Sequence, residues 1–331
     1  MNIQRSLHLA TALIVNVALW SGVPASAEGY PNRLIKLVVP FGAGGPTDIV
    51  ARAIADKLSV SLKQPILVEN RAGVGGNIGA EVIAKAVPDG YTLGLVLDST
   101  LTANPSLYKK VPFDPDGSFR PISIVSATGM MLVVHPSVPI DSVRNFVAYA
   151  KAAAGRNEPI TYASGGTGTP GHLTMESFRL HAGFEAVHVP YRGNAPMVVD
   201  LVAGQVKMGF VTTAGMMEHV QAGRLKGLGV SRITRSPLAP EVPTVAESGY
   251  PDFRVDAYNV LLAPAGIPEP IAALIEREVQ IALKDPSIIE RFRAMDMTIS
   301  DVLGADNVRA RLRADRAEWA KVITAFGMRL D

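Results

Sequence analysis

A chain of 331 residues with 48% hydrophobic content is long enough for two ordinary domains, each with its own core, which excludes a disordered or fibrous protein. Its 32 basic and 30 acidic residues leave a formal charge of +2 with no block of like charge, so no nucleic-acid footprint is expected. With no cysteine there is no disulfide, thiol nucleophile, cysteine-ligated zinc or iron–sulfur cluster.

The first segment reads as a transport signal. Arg5 precedes an apolar stretch from Leu7 to Trp20, and Pro24-Ala25-Ser26-Ala27 forms an Ala-x-Ala cleavage box. The stretch is shorter than the roughly 20 residues of a spanning helix, and no cysteine follows it to carry a lipid. Met1–Ala27 is therefore expected to be a cleaved signal peptide, which in a Gram-negative cell delivers the product to the periplasm.

Leu34–Val39 then reads as a buried strand running into the glycine loop Gly42–Gly45, and Ile49, Val50, Ala53, Ile54 and Leu58 follow at helical spacing. Pro65–Asn70 repeats the strand signal, with a second glycine loop at Gly73–Gly79 and an alanine-rich helix behind it; Tyr91–Leu97 is a third strand. Strands alternating with helices through short loops predict an α/β fold with a parallel sheet covered on both faces. Near residue 129 the pattern restarts: strand Met130–Val134, helix Ser142–Ala154, strand Ile160–Ala163, loop Gly165–Gly171, a helix through His172–Ala182, strand Val187–Val189, helix Pro196–Ala203 and strand Val206–Thr212. After Pro243 only Val260–Ala263 reads as a strand. Two periodic helices follow, one at Ile271–Leu283 and one at Leu312–Phe326, with no strands of their own. Their apolar stripes need a sheet to cover, and the first domain supplies it. The predicted division is therefore 28–128 plus 251–331 for a discontinuous domain 1 and 129–250 for domain 2. Two hinge crossings would let the lobes close over a cleft.

Three glycine loops each connect a strand to a helix N-terminus, where free N–H groups and the positive dipole end suit a carboxylate or phosphate. The same glycines also serve tight turns, and one loop alone decides nothing. Gly166-Thr167-Gly168-Thr169-Pro170-Gly171 fits G-x-G-x-x-G, but Glu185 stands before the next strand and not at its end, so a dinucleotide site is not expected. Neither a P-loop string nor H-E-x-x-H nor G-x-S-x-G occurs. His172 is expected to be a hydrogen-bond donor at a helix start near the cleft, and His188 a packed strand residue. Tyr191-Arg192-Gly193 ends a strand, where α/β folds bind ligands. An arginine on the surface beside a packed tyrosine would read the same way.

Seven ordered strings carry a resemblance: Pro40-Phe41-Gly42-Ala43-Gly44-Gly45-Pro46-Thr47-Asp48, Val68-Glu69-Asn70-Arg71-Ala72-Gly73-Val74-Gly75-Gly76, Pro88-Asp89-Gly90-Tyr91-Thr92-Leu93, Asn104-Pro105-Ser106-Leu107-Tyr108, His188-Val189-Pro190-Tyr191-Arg192-Gly193, Val242-Pro243-Thr244-Val245-Ala246-Glu247 and Ala263-Pro264-Ala265-Gly266. With them the mature chain resembles the substrate-binding proteins of tripartite tricarboxylate transporters, the Bug family. The resemblance implies a two-lobed periplasmic-binding-protein fold of the Venus-flytrap type II kind, and capture of a small organic acid for integral membrane transporter subunits. It also implies a ligand set: Phe41, Ala43, Gly44 and Asp48 on the first loop, Ser99 and Thr100 after the third strand, and Thr167, Gly168, Thr169, His172, Tyr191 and Thr212 on the opposing lobe. Three departures stand out. Val211 occupies a position where relatives often have aspartate, Pro170-Gly171 replaces small hydroxyl residues, and the pattern near Tyr258-Asn259-Val260 is altered. If Val211 faces the cleft, a less polar acid is expected in place of an amino acid.

The expected protein is thus a monomeric solute-binding protein with neither catalysis nor cofactor or metal. The rival readings are a secreted hydrolase or isomerase using His172 and Asp48 as an acid–base pair, and a ligand-sensing module for a two-component system.

Overall fold

The computed structural model describes residues 29–300 and 302–330, so the expected signal peptide lies outside the described residues. The first lobe begins with β1 (Ile35–Val39), α1 (Pro46–Ser61), β2 (Ile66–Asn70), α2 (Asn77–Ala84), β3 (Thr92–Leu97) and two short helices, α3 (Ser99–Thr102) and α4 (Asn104–Leu107). Pro46 starts α1 with its missing N–H where no partner is needed, and Val50, Ile54 and Leu58 bury one face against the sheet.

The chain then enters β4 (Phe119–Val134), a 16-residue strand buried along almost its whole length. Beyond it come α5 (Val143–Gly155), β5 (Ile160–Ser164), α6 (Pro170–Ala182), β6 (Ala186–Pro190), α7 (Asn194–Val202), β7 (Met208–Thr212), α8 (Thr213–Gln221) and β8 (Lys226–Val230). The return strand β9 (Asp256–Pro264) leads to α9 (Glu269–Leu283), α10 (Pro286–Ala294), β10 (Met297–Thr298) and α11 (Ala305–Ala325).

The strands follow the order β2-β1-β3-β9-β4-β7-β5-β6, with β10 and β8 also paired to β4. β1 pairs in parallel with β2 and β3, and β5 with β6 and β7. The centre departs from the expected parallel sheet: β9 runs antiparallel to both β3 and β4, and β4 antiparallel to β7 and β8. The chain crosses between lobes on strands and not on helices, so the return strand lies against the outgoing one in the opposite sense. β4 pairs with β9 up to Gly129 and with β7 from Met130. The side chain of Arg232 lies across Gly129, where a Cβ would come within 2.9 Å of its Cδ.

One core gathers residues from Ile35 to Val125 and from Leu261 to Met297, whereas another runs from Met130 to Phe253. The last helices correct the sequence reading in two ways. β10 gives them a short strand against β4. α11 also serves both lobes: Val308 and Leu312 pack on the first, whereas Trp319, Val322 and Ile323 meet Ala103 and Leu107 of the first lobe and Leu173 of α6 in the second.

Candidate ligand-binding cleft

The loop after β1 is held from beneath by Asp48. This carboxylate is 2% exposed and accepts hydrogen bonds from the Gly44 N–H at 2.8 Å, Arg52 Nε at 2.9 Å and Asn70 Nδ2 at 2.9 Å. Burial alone would raise its pKa, but these donors outweigh burial and hold it at about 2. Asp48 therefore spends its acceptors on shaping the loop, in which Ala43 and Gly44 are exposed and the Gly44 N–H is already committed. Phe41 is half-buried against the first core, and its carbonyl accepts from Asn70 Nδ2 at 3.0 Å.

The second glycine loop closes onto the same place. Gly76, with φ of +94°, lies so close to Thr100 Oγ1 and Phe41 that a Cβ would come within 2.6 Å of the former. Thr100 is fully buried, and its hydroxyl donates to the Gly75 carbonyl at 3.2 Å, where Asn104 Nδ2 also donates at 2.9 Å. Ser99 is half-buried on the seam between the lobes.

In the second lobe, the loop between β5 and α6 is pinned at both ends. Thr169, the residue before α6, donates its hydroxyl to the Gly166 carbonyl at 2.7 Å, and Tyr191 N–H donates to the Ser164 carbonyl at 2.9 Å. Thr167 is exposed and Gly168 takes a φ of +78°. Thr212 ends β7 half-buried, and the half-buried Tyr191 donates its hydroxyl to Asp200 Oδ2 at 2.7 Å. Neither α1 nor α6 has a side chain capping its N-terminus.

Beneath this loop two imidazoles stack, His172 on His188, with ring centroids 3.9 Å apart. The expected donor role of His172 is corrected. The side chain is 4% exposed and its Nδ1 accepts the Gly168 N–H at 3.0 Å, which leaves the proton on Nε2. Ser164 Oγ sits 2.6 Å from His188 Nε2, 3.1 Å from the Gly166 N–H and 3.0 Å from the Gly166 carbonyl. With the serine donating to that carbonyl, a proton on His188 Nε2 satisfies every contact. Burial, then the neighbouring His188, then Arg179 lower His172 to about 3; burial and Arg179 lower His188 to about 4.

These shifts set a stability profile. The unfolded chain takes up protons near pH 6.5, whereas the folded imidazoles resist down to about 3 and 4. Their contribution is therefore complete above about pH 6.5 and is lost progressively as pH falls towards 4, at up to about 1.4 kcal/mol per pH unit for His172. Thermal unfolding from pH 7 to pH 4 is expected to show a falling midpoint, with a shallower slope in His188→Gln. Equal slopes in the two proteins would exclude the stack as the cause.

An acid–base pair of His172 and Asp48 does not form: the two belong to different lobes, each is committed to its own loop, and neither exchanges a proton near neutrality. Val211 does not face the cleft either. It is 3% exposed in the second-lobe core beside Met131 and Ala163. Gly171 has a packing reason, since a Cβ there would lie 2.4 Å from the Phe210 carbonyl oxygen. Asn259 is buried in β9 and donates to Ser126 Oγ across the sheet at 3.0 Å. Sequence reading missed Asn70, Asn104 and Arg52; only the four-residue spacing of Asp48 and Arg52 could have flagged one of them.

The lobes touch at the seam. A Cβ on Gly168 would lie 3.1 Å from Leu330 Cδ1 and 3.4 Å from Leu107 Cδ1, and Pro170 and Leu173 of α6 stand beside Ser99. Residues 50–328 match the family described as Tripartite tricarboxylate transporter family receptor. The chain belongs to this family. This receptor is 35% identical to Protein BugT of Bordetella pertussis over the full length of both chains. It is also similar to a Rhodopseudomonas palustris protein solved with adipate, at 31% identity and a TM-score of 0.76, covering 91% of this chain and 100% of that one. MatC of the same organism, solved with bound malate, matches at 29% identity and a TM-score of 0.73 over 89% of this chain and 100% of its own. The receptor has the two-lobed periplasmic-binding-protein fold, and its family comprises solute-binding proteins and not enzymes. Among the described residues no helix is long and apolar enough to cross a membrane, and no group of three or more His, Asp or Glu side chains could hold a metal.

Proposed function

We propose that this receptor, a monomer exported by cleavage after Ala27, closes lobes 28–128 plus 251–331 and 129–250 over a small organic carboxylate and presents it to the membrane subunits of a tripartite tricarboxylate transporter. What supports this reading is a pair of helix N-termini, α1 in one lobe and α6 in the other, each led by a glycine loop and neither capped by a side chain. Arg71 of the second loop is already paired with Glu69, and backbone N–H dipoles at the two helix starts supply compensating charge. Ala43 and Thr167 supply the contacts, with Phe41, Ser99, Tyr191 and Thr212 shaping the walls. Gly44, Asp48, Thr100, Gly168, Thr169 and His172 hold the loops in place. Adipate and malate in the relatives are both dicarboxylates, which makes that class the first choice here.

A thermal-shift screen of residues 28–331 against mono-, di- and tricarboxylates and amino acids tests this reading. A ligand at 100 times its Kd adds about 2.7 kcal/mol. The expected result is a selective rise with dicarboxylates. A flat screen, together with no acid released from the denatured protein, sinks the proposal.

A further inference from the structure

Asp98 lies between β3 and α3 and is 3% exposed. Its Oδ1 accepts the Tyr258 N–H of β9 at 3.0 Å, and its own N–H donates to the Tyr258 carbonyl at 2.9 Å. Beside it lies a cavity of about 20 Å³, room for one water. The walls come from both lobes: Asp256 of β9 and Trp319 of α11 on one side, Pro170, Leu173 and Thr174 of α6 on the other, with Met130 of β4 at the crossing.

The titratable and charged groups around Asp98 are few. β9 brings Asp256 and the phenol of Tyr258, and α11 brings Asp315 and Arg311, which are paired to each other at 2.7 Å. α6 presents only Pro170, Leu173 and Thr174 to this cavity, whereas His181 further along α6 faces the adjoining interlobe cavity together with Asp252, Arg254, Asp315 and Glu318. Burial, reinforced by Asp315, pushes Asp98 up to about 8 against the pull of the Tyr258 N–H and Arg311.

We propose that closing the lobes takes up a proton at Asp98, which is sealed in the seam as the neutral acid and is hydrated and ionised when α6 moves away from α3. An exposed aspartate titrates near 3.9, so between roughly pH 4 and 8 the closed form holds one proton more than the open form. Closure is therefore favoured as pH falls, by at most about tenfold in the closed-to-open ratio per pH unit. His172 and His188 stay neutral down to about 3 and 4, outside most of this window. The proposal rests on the closing lobes of the proposed function and is independent of which acid is bound.

Small-angle scattering of the unliganded protein from pH 5 to 8.5 is the test. The natural protein is expected to expand as pH rises, whereas Asp98→Asn, which cannot ionise and keeps an acceptor for the Tyr258 N–H, stays compact throughout. Carbon-13 carboxyl NMR of the natural protein follows Asp98 directly, without relying on the variant's folding. Scattering that is flat with pH, equal expansion of both proteins, or titration of Asp98 near 4 in the compact form each overturns the proposal. Titration near 8 without expansion overturns it as well, because the proton would then be independent of closure. A flat carboxylate screen would remove the ligand reading and leave this scattering result intact.

Discussion

Glu176→Ala is expected to lower the stability of the protein by about 3 kcal/mol, enough to shift the thermal midpoint by several degrees. Glu176 is 2% exposed in the middle of α6. Arg179 Nη1 donates to both of its oxygens at 2.7 Å, and the hydroxyl of the fully buried Tyr162 donates to it as well. Removing the carboxylate leaves a guanidinium that is only 10% exposed with Glu185, on the surface, as its remaining acidic partner. The figure stays at the low end of the range for broken buried pairs because Glu185 at 3.0 Å retains part of the compensation. Glu176→Gln keeps an acceptor for Tyr162 and should lose less. Chemical denaturation of the three proteins checks this, and a loss below about 1 kcal/mol in the alanine variant would show that the pair contributes little. Tyr162 lies 5.0 Å from His188 between ring centroids, so the alanine variant should also disturb the histidine stack and flatten the acid side of the stability profile.

Asp48→Ala should act on binding more than on folding. It frees the Gly44 N–H, Arg52 and Asn70 together, and a lost hydrogen bond to a charged group is worth about 1.5–3 kcal/mol. Arg52 is 47% exposed and recovers water, so about 2 kcal/mol of stability is the expected loss. The loop that loses its anchor is the one that presents Ala43, so affinity for the carboxylate found in the screen should fall at least tenfold. Calorimetric titration of the folded variant tests this. Unchanged affinity would mean that the loop keeps its shape without Asp48, or that the ligand is held elsewhere.

Much of the fold could be read from periodicity because most helices and parallel strands are short, regular and flanked by glycine or proline. The exception is instructive. β4 begins at Phe119, not near Met130, yet Pro121 and two register shifts against β9 break the alternation that a strand reader relies on. β8 was hidden for a similar reason, since two of its five residues are glycines; a Cβ on Gly229 would lie 2.6 Å from Val143. In the cleft, sequence pattern located the loops but not the division of labour within them. Asp48, Thr100 and His172 look like ligand contacts in one dimension, yet Asp48 and His172 each bond their own loop and Thr100 bonds the second glycine loop. Asp98 stood unnoticed beside Ser99 because its burial depends on α6, more than 70 residues away in the chain.

The two interlobe strands also bear on how the molecule is made. The core of the second lobe draws its buried residues from the continuous stretch Met130–Phe253, with none from β1–β3 or α9–α11. The first lobe cannot complete its sheet until β9 reaches β3 and β4, with the whole second lobe in between. Joining those strands across a disordered loop of that length would be entropically slow. Once the inserted lobe has folded, its ends emerge side by side, and the search becomes a short one. Assembly should therefore run from the inside outward, with lesions in the inserted lobe delaying the other lobe and lesions in α9–α11 leaving a folded middle behind.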